Sequence, residues 1–96
     1  MLTEKQQDAY EQFYASTHDN EFLDAKTELL VGLAAAMALD CAPCRHDYLA
    51  KAKDAGIKRG EISEVLAKVM AVSAGQKRLQ FEDVTERFDI DLSEFE

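Results

Sequence analysis

Apolar residues along this chain recur at the three- and four-residue spacing of an α-helix, and no stretch alternates convincingly as a strand would. Residues 3–17 open the pattern. Tyr10, Phe13 and Tyr14 form an aromatic stripe at helical spacing, which reads as a packing face, and Thr3 with Gln6 three residues later is a capping box. HDNEFLD, 18–24, is a polar connector in which Asp24 is a candidate N-cap. Residues 25–39, AKTELLVGLAAAMAL, are apolar on nearly every side from Leu29 onward, which predicts a helix that is central or at a subunit contact. Gly32 lowers helix propensity there, and a close helix–helix approach would explain it. At CAPC, 41–44, the pattern breaks: Pro43 cannot continue a helix but suits the first turn of a new one. The expectation is a third helix from about 42 to 55 with Gly56 at its C-terminal cap. A fourth follows over 59–73, with Ile62, Val65, Leu66, Val69, Met70 and Val72 on a wide apolar face. Gly75 predicts a bend or break, 76–88 a shorter fifth helix, and DIDLSEFE an acidic tail, frayed or docked on a neighbour. The fold class is therefore all-α, with about five helices.

Composition supports this and narrows the partners. The chain has 96 residues, one domain over 1–96, and its four glycines and one proline leave little material for a many-stranded fold. A chain this short buries roughly 60–65% of its unfolded surface, so an oligomer that extends the core is expected. Eleven basic and nineteen acidic residues give a net charge of −8. This disfavours nucleic acid and anionic membranes, whose phosphates call for a basic face, and reads as a well-solvated surface. The N-terminus carries no apolar signal region, and the run from Leu29 to Leu39 is too short to span a bilayer, so the cytoplasm is the expected location. Thiols there are kept reduced, which turns attention to the only two cysteines.

Cys41 and Cys44 fall at the break between two helices. A helix N-terminus carries about half a positive charge and several unpaired N–H groups, so a thiolate there is stabilised and becomes nucleophilic near neutral pH. The two-residue spacing lets the sulfurs close a small disulfide ring, the minimum equipment of a dithiol–disulfide cycle. Two other readings stand beside it. One takes the cysteines as small buried hydrophobes; the other takes Cys41, Cys44 and His46 as the start of a zinc site, for which the only distant soft ligand is His18. No organic cofactor is implied, since nothing resembles a phosphate-cradling glycine loop.

The stretch TELLVGLAAAMALDCAPCRHDYLAKAKDAGIKRGEISEVL resembles the carboxymuconolactone decarboxylase / alkyl-hydroperoxidase-D-like family. The similarity rests on an apolar helix ending at C-x-x-C, a short helix ending at glycine, and the run of Gly56, Glu61, Ile62 and Glu64, and it covers about residues 24–75. The resemblance implies an all-α fold and small subunits that form obligate oligomers, often hexamers built as trimers of dimers. Members with C-x-x-C reduce peroxides. By that pattern Cys44 becomes the sulfenic acid, and Cys41 is the proton donor and disulfide partner. An external dithiol donor restores both thiols.

The family's proton relay is altered. Its glutamate, twelve residues before C-x-x-C, falls on Leu29, with Glu28 one residue off; its histidine, four after the second cysteine, falls on Tyr48, with His46 two residues off. On a helix, position i+4 from Cys44 shares its face and i+2 lies nearly opposite. Tyr48 can therefore reach Cys44, but with an ordinary pKa near 10 it takes no proton at neutral pH as histidine does. Asp47 would raise the thiol pKa if it turned inward, whereas Arg45 would help a thiolate. Taken by themselves, His46 reads as exposed between charged neighbours, Glu28 as a first-turn complement to the helix dipole, and His18 as a connector residue. For Tyr48, core packing and a thiol-facing hydroxyl are equally open. The expected function is a thiol-dependent peroxidase or disulfide oxidoreductase. The competing one is a non-catalytic oligomeric relative, an assembly module or redox sensor with a decayed relay.

Overall fold

A helix leaves amides unpaired at its start and carbonyls at its end, and local groups take up several of them here. The computed structural model describes residues 1–95. Four helices follow in order, α1 (Glu4–Ser16), α2 (Ala25–Ala38), α3 (Ala42–Asp54) and α4 (Arg59–Arg87), and then a 3-10 turn at Leu92–Phe95. The capping box forms as expected: the Gln6 amide donates to Thr3 Oγ1 at 3.2 Å and the Thr3 amide to Gln6 Oε1 at 3.1 Å. Asp24 caps α2 by accepting from the Thr27 amide at 2.7 Å. That bond holds its carboxyl below the ordinary carboxylate range, so the cap is intact at neutral pH and weakens as acid protonates it. Glu61 pairs with Lys26, tying the first turn of α4 to that of α2, and accepts from the Lys58 amide at 3.2 Å.

Three helices end in the same device. Gly56 after α3, Asp40 after α2 and Asp89 after α4 adopt φ of 73°, 54° and 52°, reversing the chain so that its next amides reach back to the last helical carbonyls. After α2 the Cys41 amide donates to the Ala36 carbonyl at 3.0 Å; after α3 the Ile57 amide donates to the Ala52 carbonyl at 3.0 Å. Aspartate tolerates the left-handed conformation better than most side chains. Asp40 thereby sets the sharp corner that delivers Cys41 to the start of α3.

One expected boundary is absent. Sequence reasoning separates a helix over 59–73 from another over 76–88, whereas α4 runs unbroken through Gly75. A helical glycine costs only about 1 kcal/mol. No proline or capping residue accompanies it, and Ala74, Gln76, Lys77, Arg78 and Leu79 around it favour helix. Among the described residues the architecture is all-α with four helices.

α2 is central, packing against both α3 and α4, as its all-round apolar surface predicts. Yet Leu33 and Ala36 on α2 and Ala52 on α3 are the only buried hydrophobic residues among those described. α1 packs closely on none of the other helices through its backbone. The accessible surface is 8202 Å², where a compact monomer of this mass would expose about 5,500 Å². The radius of gyration is 19.0 Å, against roughly 12–13 Å for a compact domain of this length. Leu66, Met70, Phe81 and Val84 of α4, and Phe88 at its C-cap, are all exposed. At about 100° per residue they fall within one narrow stripe along the helix. No helix among the described residues is long and apolar enough to cross a membrane.

Candidate functional site

The corner at Asp40 makes Cys41 the N-cap of α3 and puts Pro43 in its first turn. Cys41 and Cys44 are joined in a disulfide, with Cα atoms 5.2 Å apart. The first amide of α3 to find a partner within this turn is that of Arg45, which donates to the Cys41 carbonyl at 2.9 Å. The Cys44 amide precedes it and belongs to the unpaired set at the helix start, where the helix dipole favours negative charge. A helix start of this kind favours a thiolate over a thiol. Arg45 donates to Asp40 Oδ1 at 2.7 Å, so a guanidinium is tethered beside the cysteines with its own counter-ion.

Both sulfur-bearing residues are half-buried and line a cavity of about 150 Å³. Its other walls include Gly32 and Ala36 of α2, Tyr48 of α3 and Tyr14 of α1. Gly32 explains how Tyr48 lies there. A Cβ at Gly32 would run into the Tyr48 ring and stand 2.8 Å from its hydroxyl. The close approach expected at Gly32 is therefore real, and the tyrosine ring itself makes it. We expect Gly32→Ala to displace Tyr48 and cost about 1–3 kcal/mol, the usual penalty of overpacking, measurable as a lower melting temperature together with slower thiol oxidation.

Tyr48 is faced from three sides. Lys51 on α3 places Nζ 5.4 Å from the ring centroid. Tyr14 comes from α1, and Glu28 acts from α2. Burial, then the Tyr14 phenol, then the Glu28 carboxylate push the Tyr48 hydroxyl above the ordinary tyrosine range. It is therefore a proton donor at neutral pH, never a base.

Of the candidates read from sequence, Cys41, Cys44 and Tyr48 come together in one cavity. Glu28 is half-buried one helical turn before Gly32, on the α2 face against which Tyr48 packs. Leu29, where motif spacing places the relay carboxylate, stands one turn before the fully buried Leu33 and so faces the core. His46 does not line the cavity: its side chain is 86% exposed, with Nδ1 3.7 Å from Asp47. His18 sits at the end of α1, its ring 4.9 Å from that of Tyr14. Among the described residues, no three of His, Cys, Asp and Glu converge to hold a metal ion. Sequence reasoning missed Tyr14 as a site residue, because its helical spacing with Tyr10 and Phe13 explains it fully as packing, and nothing local links it to Tyr48. A larger groove of about 390 Å³, walled by Leu30, Val31, Ala34 and Val65 between α2 and α4, contains neither cysteine.

Comparison with known proteins bears on the fold and the family. A crystal structure of a protein from Methanobacterium thermoautotrophicum superposes with a TM-score of 0.75 at 23% identity, over 80% of this chain and 86% of that one, so the two share a fold. A comparison with curated proteins gives no significant match. The profile of the carboxymuconolactone decarboxylase family matches residues 5–87. An all-helical chain with a C-x-x-C disulfide at the start of its third helix, matched over nearly its whole length, belongs to the carboxymuconolactone decarboxylase family.

Proposed function

We propose that the protein is a thiol-dependent peroxidase of the hydroperoxidase-like branch. The observation that carries this reading is the Cys41–Cys44 pair at a helix start, opening on a small cavity with a protonated tyrosine in its wall. The reduced Cys44 thiolate attacks the distal oxygen of a hydroperoxide. An S–O bond forms, the O–O bond breaks, and the departing alkoxide takes a proton from the Tyr48 hydroxyl. Cys41 then attacks the sulfenic acid, an S–S bond forms and water leaves. An external dithiol reduces the disulfide through a mixed-disulfide intermediate. Tyr48 thus acts as a general acid on the leaving group, and the helix terminus replaces the histidine that would otherwise activate the thiol. A pocket of about 150 Å³ is large enough to take the peroxide end of a small organic hydroperoxide.

The same reading includes assembly. Three buried hydrophobic residues and an accessible surface of 8202 Å² describe a subunit whose apolar faces are meant to be covered. Copies of the same chain are the partners that fit, a hexamer built as a trimer of dimers being the expected form. A reducing, cytoplasmic location suits a cycle that begins with free thiols. Mass spectrometry of the reduced protein after one equivalent of tert-butyl hydroperoxide tests the chemistry. The expected product is the Cys41–Cys44 disulfide, two hydrogens lighter; unmodified protein would leave the non-catalytic assembly module as the better reading.

A further inference from the structure

Tyr14 has no place in the C-x-x-C motif and no share in the chemistry described so far, yet it walls the cavity that both cysteines line. α1 has no close backbone packing on α2, α3 or α4. Tyr14 is therefore the point at which this helix meets the site through a side chain. The residue is 44% exposed, so it touches solvent as well as bounding the cavity. The Tyr48 ring is fixed against Gly32 on its far side. Tyr14 and Tyr48 thus border one small cavity, and a phenol can both donate and accept a hydrogen bond. One of them is half-buried beside the sulfurs, and the other is open to water.

We propose that Tyr14 is a positioning residue of the redox site: it orients the Tyr48 hydroxyl toward the cysteine pair and returns a proton to it from solvent after each turnover. This inference rests on the peroxidase reading above. When the O–O bond breaks, Tyr48 gives its proton to the alkoxide and becomes a phenolate. The Tyr14 hydroxyl donates to that phenolate, passes its own proton across and recovers one from water. The charged neighbours of Tyr48 act alongside but do not replace it. Glu28 is an acceptor when ionised, with no proton to give, and Lys51 lies over the ring face rather than at the hydroxyl.

The test compares two oxidants on the reduced full-length protein. Tert-butyl hydroperoxide expels an alkoxide that needs a proton. A dithiobis(nitrobenzoate) expels an acidic thiolate that needs none. Tyr14→Phe keeps the ring and removes the hydroxyl. It is expected to slow thiol loss to the hydroperoxide about tenfold, a modest share of what proton transfer contributes, while leaving the rate with the aromatic disulfide unchanged. Tyr10→Phe, one turn earlier on α1 and absent from the cavity, should change neither rate. Equal slowing with both oxidants would mean that Tyr14 only props up the fold, and would overturn the proposal. So would an unchanged hydroperoxide rate in Tyr14→Phe, or the same loss in Tyr10→Phe, and in each of these cases the peroxidase reading stands. A wild-type protein whose thiols react slowly with the hydroperoxide would overturn both.

Discussion

Replacing Cys44 by serine is expected to reduce peroxide-dependent oxidation of a dithiol donor to the uncatalysed background. Serine keeps the size of the side chain and its place in the first turn of α3, so the fold should be unaffected. What disappears is the thiolate, and a hydroxyl at that position has no base to activate it: Tyr48 holds its proton, and His46 is exposed and outside the cavity. Cys41→Ser should behave differently. The first step is intact, so one equivalent of hydroperoxide is consumed and Cys44 halts as sulfenic acid. Excess oxidant should then carry it to sulfinic acid, visible as a stable mass increase of two oxygens. Reversed behaviour of the two variants would mean that Cys41 is the attacking sulfur. Background rates in the wild type would remove the chemistry altogether.

The second large effect is expected far from the cysteines. Phe81→Glu places a carboxylate in the middle of the exposed stripe that Leu66, Met70 and Val84 of α4 form with Phe88 at its C-cap. An unpaired charge in a dry interface costs several kcal/mol. The isolated subunit, with Leu33 as its one large fully buried side chain, has little to hold it together. Sedimentation should show the variant falling from oligomer to monomer, and thermal unfolding should lose its cooperativity at the same time. A variant that sediments like the wild type and melts within a few degrees of it would show that this face is not the one copies share.

Much of this architecture was legible because helix ends are local. Thr3 with Gln6, Asp24, Pro43 and Gly56 each mark a boundary through chemistry that acts over three or four residues, and the structure bears out each of them. Gly75 misled for the same reason. A glycine weakens a helix by an amount that good helix formers on both sides outweigh, and whether it breaks is decided by the surrounding turns. The cysteine pair was legible from spacing. The rest of the site was only partly so. Motif spacing sent the relay carboxylate to Leu29, but helical phase assigns Leu29 to the Leu33 side and Glu28 to the Gly32 side. Gly32 foretold a close approach but not that the Tyr48 ring would make it. Tyr14 reaches Tyr48 from the first helix, 34 positions away in the chain, and no periodicity within α1 separates a residue that only packs from one that also borders a cavity.

Peroxidase chemistry in this protein requires an activated thiol at the start of α3. Its most direct test is the rate of thiol loss when reduced protein is mixed rapidly with tert-butyl hydroperoxide, followed between about pH 5 and pH 9. The predicted result is fast loss of both thiols per hydroperoxide, with a rate that rises through an apparent pKa well below the ~8.5 of free cysteine. A slow reaction that rises only near pH 8.5, with the two thiols lost independently, would contradict it.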